Sequence, residues 1–347
     1  MNIRKKILFL GAGFSAPLDI PTMANFLERS HDLHELDPFK YKSFEVIFEL
    51  IKKLHYIKSK ININLNNIES ILSLLEMGDY LSDKIIEGSE FEKFIKDVII
   101  GSTKTIEFNQ HYLHKNLKGE HNNIFQDRIL DVYFQFILRI IGAKFKIYNR
   151  NNKILFDVSK DESNNNKYQI ITLNYDNNIE EFIKLINSNS ENKIKIDYEN
   201  QIVSELNLTL SIAKLHGSIE SRIIPPTWNK TANDQIKIIW QNAFNMLNQA
   251  HEIIFLGYSL PESDAYIKYL ITYSMLNNQN LKKVTVYNND SDINVKNRYD
   301  QLFESTLENK YSYNVASVTD FFKQETKDYV TLNHENSLSK TYGMLKT

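Results

Sequence analysis

The feature that most constrains this chain is an apolar run near the N-terminus that stops abruptly at a glycine-rich turn. Ile7 to Leu10 form the run, Gly11-Ala12-Gly13 follow it directly, and Ala16 completes a G-x-G-x-x-A spacing. This pattern is typical of a strand, a tight turn and a helix whose backbone N–H groups face a phosphate. Gly11 would allow the turn, and Gly13 would allow a pyrophosphate to approach closely. Because such turns also end strands for purely structural reasons, the pattern alone leaves nucleotide binding open.

The C-terminal half of the chain alternates short apolar segments with amphipathic ones. This rhythm predicts strands separated by helices, which is typical of a parallel sheet covered on both faces. The fold class is therefore α/β, with a doubly wound, mainly parallel, Rossmann-like sheet of about six strands. The predicted strands are 7–10, 168–173, 210–215, 253–256, 283–287 and 311–315.

The stretch between the first and second predicted strands has a different character. Residues 23–150 repeat apolar side chains at helical spacing, and an Asn-rich segment over 159–167 then predicts a loop. We therefore expect a Rossmann-like domain made of residues 1–22 and 167–325. A helical insertion is expected over 23–166, and a C-terminal tail over 326–347.

Composition limits the class of protein. Hydrophobic residues make up 42% of the chain, enough for a sizeable core, and 41 basic against 43 acidic residues give no electrostatic case for direct nucleic-acid binding. The chain has no cysteine, which excludes disulfides and cysteine-ligated zinc and fits a reducing compartment. No apolar run approaches the roughly 18 residues of a membrane span, so we expect a soluble cytoplasmic protein.

Polar or small residues follow each predicted strand, at the edge where a doubly wound sheet forms its binding crevice. They are Asn174-Tyr175-Asp176, His216-Gly217-Ser218, Gly257-Tyr258-Ser259-Leu260 and Asn288-Asn289-Asp290.

Taken in order, these motifs resemble those of the sirtuin family. Gly11-Ala-Gly-Phe-Ser15 followed by Ile20-Pro21 is similar to the sirtuin Gly-Ala-Gly-x-Ser…Gly-Ile-Pro stretch, and Leu173-Asn174-Tyr175-Asp176 resembles Gln-Asn-x-Asp. His216-Gly217 is similar to the catalytic His-Gly pair, Gly257-Tyr-Ser259-Leu260 to Gly-Thr-Ser-Leu, and Tyr287-Asn288 to Ile-Asn. The resemblance implies that NAD is bound and that Asn174 and His216 are catalytic. It also implies a set of NAD-binding residues: Gly11, Ala12, Gly13, Phe14, Ser15, Asp176, Gly257, Ser259 and Asn288.

The departures from the family pattern narrow the implied activity. Sirtuin deacylases carry a four-cysteine zinc module, which a chain without cysteine cannot build. Leu173 replaces the family's Gln, Asp19 stands where sirtuins have Gly, and Thr22-Met23 replaces the Phe-Arg pair that follows Ile-Pro. The pattern is more similar to the prokaryotic sirtuin-like NAD hydrolases of anti-phage defence systems. That resemblance implies an NAD+ glycohydrolase that depletes cellular NAD, with no resident metal. It also implies control by assembly or by a partner such as an ATPase.

The chemistry of these side chains is consistent with cleavage of the nicotinamide–ribose bond. The reaction passes through an oxocarbenium-like state, as glycoside hydrolysis does, and nicotinamide leaves as a neutral group. An asparagine amide can orient a water or a ribose hydroxyl, and an imidazole can accept a proton near neutral pH. Asp176 could orient Asn174 or contact the ribose.

Simpler interpretations stay open at this stage. Asn174 or Asp176 could cap a helix, and His216 could be structural. The pairs His31/His34 and His111/His114 have a spacing that permits a metal, but no third ligand stands out. An NAD or ADP-ribose binding sensor and an NAD-dependent deacylase are the alternative functions. A dehydrogenase is disfavoured because residues 28–35 have helical rather than strand character.

Apolar faces in the insertion and the tail predict a homo-oligomer. The residues concerned are Phe44, Ile47, Phe48, Phe134 and Ile137 in the insertion, and Tyr329, Leu332 and Tyr342 in the tail. We expect them to contact a second subunit, with the insertion bordering the NAD cleft. A tail that packs on its own domain or is disordered is the alternative.

Overall fold

A computed structural model describes residues 3–58, 65, 67–81, 88–118, 123–150, 153–198, 208–223, 234–262, 264–290, 293–303, 307 and 309–333. Its strands are β1 (Arg4–Leu10), β2 (Ala143–Arg150), β3 (Lys153–Lys160), β4 (Asn166–Thr172), β5 (Lys195–Asp197), β6 (Thr209–Lys214), β7 (Glu252–Leu256), β8 (Lys283–Asn288) and β9 (Tyr311–Val315). Its helices are α1 (Ala12–Ser15), α2 (Phe26–Leu36), α3 (Phe44–Lys58), α4 (Ile68–Tyr80), α5 (Gly88–Ser102), α6 (Gln110–Leu117), α7 (Arg128–Ile141), α8 (Asn178–Asn189), α9 (Asp234–Asn248), α10 (Ala265–Leu276), α11 (Ile293–Phe303) and α12 (Val318–Asn333).

Seven parallel strands form the central sheet, in the spatial order β5-β6-β4-β1-β7-β8-β9. Every neighbouring pair in this sheet is parallel. The α/β prediction is confirmed, and the sheet contains the six predicted strands plus β5. This extra strand was missed because it is three residues long and offers a single apolar side chain, Ile196.

The two faces of the sheet have separate cores, and β1 contributes to both. Leu8 and Leu10 lie in a core with residues of α7, α8 and α12, whereas Ile7 and Phe9 lie in a core with residues of α9, α10 and α11. Successive side chains of a strand point to opposite faces, so a strand buried on both sides is a continuous apolar run. This explains why the sheet is doubly wound and why its strands are recognisable in the sequence.

A third core lies within the predicted insertion. It joins α2, α3, α4 and α5 around aromatic rings, and Phe44 and Phe94 pack edge to face with ring centroids 4.8 Å apart. Tyr175, from the loop after β4, also belongs to this core. The insertion is therefore tied to the sheet domain through a residue that lies between Asn174 and Asp176.

The predicted insertion is not helical throughout. β2 and β3 pair in antiparallel fashion, in register from Ala143 opposite Lys160 to Arg150 opposite Lys153. The sequence here alternates apolar and polar residues, and Phe145 of β2 stacks on Phe156 of β3 with centroids 5.2 Å apart. In the sequence, this two-residue alternation reads as a continuation of the helical pattern before it, so the hairpin was not predicted. The loop predicted over 159–167 is shorter in the structure, because β3 ends at Lys160 and β4 begins at Asn166.

The apolar side chains of the insertion that we expected to contact a second subunit are mostly buried within the chain itself. Phe44, Ile47, Phe134 and Ile137 are all buried in the chain's own cores, and Phe48 is partly buried against α2 and α5. These side chains are therefore not available to a partner, and the expectation that they form a subunit contact is corrected.

The predicted tail begins inside α12 rather than after the last element. α12 packs on α7, where Phe322 stacks on Phe136 with ring centroids 4.0 Å apart. The helix continues to Asn333, and the remainder of the predicted tail, including Tyr342, lies outside the described residues. None of the helices in the described ranges has the length and apolar character needed to cross a membrane.

Candidate functional site

A cavity of about 470 Å³ lies at the carboxyl ends of the strands. The loops that follow β1, β4, β6, β7 and β8 all reach it, as the topology of a doubly wound sheet requires. The predicted site residues that line it are Gly11, Ala12, Gly13, Asn174, Asp176, His216, Gly257, Ser259 and Asn288. The structure thus brings together residues that are up to 277 positions apart in the sequence (Gly11 to Asn288).

Phe14 and Ser15 support the cavity from beneath and do not line it. The Phe14 ring packs edge to face on Tyr133 and Phe322, and its carbonyl accepts a hydrogen bond from the Tyr133 hydroxyl. Ser15 is buried, and its Oγ accepts a hydrogen bond of 3.0 Å from Asn174. The structure thus gives both residues a packing or positioning role, and their contact with NAD stays a prediction.

Asn174 is held by the loop that follows β1. Its Nδ2 donates to the carbonyl of Gly11 and to Ser15 Oγ, each at 3.0 Å, and its backbone N–H donates to Thr172 Oγ1. Because both hydrogens of Nδ2 are donated to protein atoms, the carbonyl Oδ1 is the side-chain atom suited to accept a hydrogen bond from a ligand or a water. Asn174 is half-buried at the cavity wall and is not the cap of α8.

Asp176 is 7% exposed, and its two carboxylate oxygens differ. Oδ1 accepts a hydrogen bond of 3.1 Å from the backbone N–H of Asn178 at the start of α8. Asp176 therefore binds an N–H group at the end of this helix, as a capping residue does, although the N-cap position itself is Asn177. Oδ2 is buried without a hydrogen-bond partner in the described structure. A buried carboxylate oxygen is costly to leave unsatisfied, so the hydrogen bonding of Asp176 is incomplete in this structure.

Lys214, at the end of β6, fixes the loop between β4 and α8. Its ammonium donates to the carbonyl of Asp176 at 2.6 Å, to Asn177 Oδ1 at 2.7 Å and to Glu180 Oε1 at 2.9 Å. The buried charge is thus paired and fully hydrogen-bonded, which a buried ammonium requires. Sequence reasoning missed this residue, although a lysine inside the apolar run 210–215 was the signal that could have revealed it.

His216 lies two residues beyond the end of β6, at the cavity wall, with only 2% of its surface exposed. Its ring lies 6.1 Å from that of Tyr175, measured between centroids. Gly217 then adopts a φ of +74°, and a Cβ there would lie 1.9 Å from the carbonyl oxygen of Arg222. In this pair His216 therefore lines the cavity, and Gly217 forms a turn that only glycine permits.

The glycine-rich loop after β1 packs backbone to backbone on the loop after β7. Gly13 N–H donates to the carbonyl of Gly257 at 2.9 Å, and Gly11 N–H donates to that of Leu256 at 3.1 Å. A Cβ on Gly257, whose φ is +62°, would lie 2.4 Å from the carbonyl carbon of Gly13. These glycines therefore allow the two loops to approach each other closely, and the approach of a pyrophosphate to Gly13 stays a prediction.

The loops after β7 and β8 are also joined to each other. Asn288 Nδ2 donates to the carbonyl of Tyr258 at 3.1 Å, while its Oδ1 accepts from the Asp290 backbone N–H at 2.9 Å. Arg298 of α11 donates two hydrogen bonds to the carbonyl of Ser259. Asn288 thus shapes the cavity through its own loop contacts, and the Ser259 side chain is exposed.

The insertion forms the opposite wall of the cavity. It is lined by Met23 in the turn before α2, Phe26 at the first position of α2, Glu69 of α4 and Ile99 of α5. The carboxylates at the cavity are Glu69, Asp176, Asp264 and Asp290, and its described lining includes no lysine or arginine. The cavity therefore has a negative character that favours a ligand with a cationic portion.

Tyr258, in the loop after β7, is held by a hydrogen bond to Asp264. Its hydroxyl donates to Asp264 Oδ2 at 2.6 Å, and burial, together with the neighbouring Asp264 carboxylate, raises the pKa of the Tyr258 hydroxyl well above its ordinary value. Tyr258 is consequently a neutral hydrogen-bond donor at neutral pH.

The histidine pairs considered for a metal have other contacts. His31 stacks on Phe48 with centroids 3.9 Å apart, and His34 lies 3.5 Å from a carboxylate oxygen of Glu45. Within the ranges that the structure describes, no group of three or more His, Asp or Glu side chains is arranged to hold a metal ion. The absence of a resident metal stays a prediction.

Residues 169–315 match the family model described as a SIR2-like domain. The matched SIR2-like region runs from β4 to β9, so it contains Asn174, Asp176, His216, Gly257, Ser259 and Asn288. The glycine-rich loop at residues 11–15 lies outside it. A SIR2-like domain suggests an NAD-related activity.

Two solved structures illustrate the wider comparison. One, described as Sir2 bound to an acetylated peptide, has 10% sequence identity and a TM-score of 0.36, over 94% of each chain. Another, described as Sir2 with a p53 peptide and NAD+, has 12% identity and a TM-score of 0.36, over 95% of each chain. No curated protein matches the sequence significantly.

The contact between the loops that contain Gly13 and Gly257 predicts that a methyl group added at Gly257 destabilises the fold. We expect Gly257→Ala to lower the free energy of unfolding by about 2 kcal/mol or more, because the positive φ and the Gly13 backbone both oppose a Cβ. Urea unfolding followed by circular dichroism measures this. Ser259→Ala is the matched control and should change the free energy by less than about 0.5 kcal/mol, since Arg298 binds the carbonyl that the variant keeps. Equal stability of the two variants would contradict the proposed contact.

Proposed function

We propose that this protein is an NAD+ glycohydrolase that cleaves the bond between nicotinamide and ribose. The observation that carries the proposal is one cavity in which Asn174, Asp176 and His216 lie together on the strand ends of a SIR2-like domain. These three side chains supply a hydrogen-bond acceptor, an unsatisfied carboxylate oxygen and an imidazole. This combination suits the hydrolysis of a glycosidic bond to a good leaving group.

In the proposed reaction, a water adds to the anomeric carbon of the ribose. The electron pair of the carbon–nitrogen bond passes to the ring nitrogen, so that nicotinamide leaves as a neutral molecule. Asn174 Oδ1 accepts a hydrogen bond from the water or from a ribose hydroxyl and positions it, and His216 accepts the proton that the water loses. The products are nicotinamide, ADP-ribose and one proton, which balances the hydrolysis.

The charge of the cavity supports the same substrate. The nicotinamide ring of NAD+ is cationic, and positive charge moves onto the ribose in the transition state. Carboxylates fixed in a partly dehydrated cavity stabilise such charge more strongly than water does, because their orientation is already set. Asp176 and Asp264, the two cavity carboxylates that are buried, therefore favour the oxidised cofactor over the reduced one as substrate.

Two other functions remain as alternatives with different products. An NAD-dependent deacylase would consume NAD only with an acylated peptide, and it is disfavoured because a chain without cysteine has no four-cysteine zinc module. A sensor of NAD or ADP-ribose would bind without releasing nicotinamide. Incubation of the purified protein with NAD, with and without an acetylated peptide, separates the three by nicotinamide release and deacetylation.

The site assignment predicts the result of two substitutions. Asn174→Ala and His216→Ala should each reduce nicotinamide release by about 100-fold or more, since each removes a group that acts on the reacting atoms. Nicotinamide is quantified by chromatography under conditions in which the wild-type protein is active. Asn245→Ala and His111→Ala, at exposed positions outside the cavity, are the matched controls and should retain full turnover.

Thermal unfolding of all four variants shows whether a loss of turnover reflects chemistry or folding. Near-wild-type turnover in both Asn174→Ala and His216→Ala would exclude the enzyme function. NAD binding that persists in the wild-type protein without any turnover would favour the sensor.

The mechanism proposed here uses no metal ion. We expect nicotinamide release to survive exhaustive treatment with EDTA, because the proposed nucleophile is a water positioned by Asn174 and deprotonated by His216. The comparison is turnover before chelation, after chelation and after the return of Zn²⁺ or Mg²⁺. A large loss of activity that a metal restores would show that a cation takes part and would require a different mechanism.

We further propose that the activity serves anti-phage defence by depletion of cellular NAD. This role rests on the resemblance to sirtuin-like NAD hydrolases and on the danger that unregulated NAD hydrolysis poses to a cell, which calls for control by assembly, by an ATPase or by a phage component. Cells that express the wild-type chain with its genomic neighbour should lose NAD during infection, whereas cells with Asn174→Ala should not. Stable NAD levels in both strains would argue against the role.

A further inference from the structure

Helix α10 is apolar on two separate faces. Its inner face packs on the core of the sheet domain through Ile267 and Ile271, which are fully buried. Its outer face carries four large side chains that point away from that core, namely Tyr266, Tyr269, Tyr273 and Leu276, with exposed fractions of 42%, 68%, 62% and 74%. We call these four residues the α10 seam. A surface helix of a globular protein ordinarily exposes a polar face instead.

The spacing within the seam is three, four and three residues. This is the repeat of the a and d positions of a heptad, the narrow stripe that one helix presents to another helix. Among the described residues, the seam makes two aromatic contacts: Tyr266 packs edge to face on Tyr269, and Tyr273 stacks on Phe244 of α9. The spacing therefore indicates a helix as the occupant, rather than a strand or a small ligand.

We propose that a second copy of this chain covers the seam, with the two α10 helices packed in antiparallel fashion about a twofold axis. In this arrangement Tyr266 of one copy lies opposite Leu276 of the other, and Tyr269 lies opposite Tyr273. A twofold contact requires a surface that is complementary to itself. The seam meets this requirement because it has no charged side chain, and tyrosine is enriched in protein interfaces.

The charges around the seam favour the antiparallel direction. Lys268, the one charged residue in the sequence of α10, lies about 120° around the helix from the middle of the seam. Glu262 is exposed just before α10, and Lys282 and Lys283 are exposed just beyond its C-terminal end. Antiparallel packing brings Glu262 towards the lysines of the partner and aligns the two helix dipoles favourably, whereas parallel packing brings like charges together.

The seam is small for a dimer interface. Its four side chains fall short of the roughly 800 Å² per partner of a standard interface. We therefore expect a dissociation constant in the micromolar range and a concentration-dependent equilibrium. The proposal is independent of any NAD-related activity, although Asp264, the residue before α10, lines the cavity.

Sedimentation velocity over a range of concentrations tests the dimer. We expect Tyr269→Glu and Tyr273→Glu each to weaken association at least tenfold, because each buries a charge in an apolar contact. Phe39→Glu is the matched control: Phe39 is 94% exposed, lies outside the seam and should leave association unchanged. Circular dichroism confirms that each variant is folded.

The direction of packing can be tested by cross-linking, since the natural chain has no cysteine. A mixture of Tyr266→Cys and Leu276→Cys proteins, oxidised with copper phenanthroline, should form the mixed disulfide dimer, and neither protein alone should do so. Cross-linking of each variant with itself would show parallel packing and overturn the antiparallel arrangement. A wild-type protein that stays monomeric up to about 100 µM, or a dimer insensitive to both glutamate substitutions, would overturn the proposal as a whole.

Discussion

The candidate site depends on the direct contact between two loop backbones, those that follow β1 and β7. Gly13 and Gly257 lie so close that neither tolerates a Cβ, and the hydrogen bond from Gly13 N–H to the Gly257 carbonyl joins them. The carbonyl of Gly11, in the same loop, accepts a hydrogen bond from Asn174. The position of the proposed catalytic amide is therefore set by the packing of two neighbouring strands, and it does not depend on a mobile side chain elsewhere.

Charge is distributed unevenly around this contact. The ammonium of Lys214 lies behind the wall, paired with Glu180 and the loop before α8, whereas the cavity itself is lined by carboxylates. A buried cation held by three acceptors orders the loop that carries Asn174 and Asp176 without facing the ligand. Within this loop, the Lys214 ammonium therefore holds the backbone of Asp176 from behind, while Asp176 itself lines the cavity.

The sequence was sufficient to predict the sheet and the meeting of Asn174, Asp176 and His216, because strands buried on both faces are continuous apolar runs and their carboxyl ends converge. It was insufficient for β5, which has too few apolar residues to produce a pattern, and for the β2–β3 hairpin, whose alternation follows a long helical region. The burial of Phe14 and the mutual contact of the glycines depend on partners far away in the chain. The burial of Phe44 and Phe134 also depends on such distant partners. Both pack inside the chain, so the exposed apolar surface proposed for a second copy is that of α10.

Tyr175 connects the core of the insertion to the loop that carries Asn174 and Asp176. Its ring belongs to the aromatic core of α2 to α5, its carbonyl accepts a hydrogen bond from Ile219 N–H at 2.9 Å, and its two neighbours in the chain are Asn174 and Asp176. Because the ring is held in that core and the carbonyl in that hydrogen bond, the backbone of Tyr175 is fixed from two sides. Tyr175 thus ties the backbone that carries both polar side chains to the aromatic core of the insertion, so a core substitution that displaces the Tyr175 ring would also displace Asn174 and Asp176.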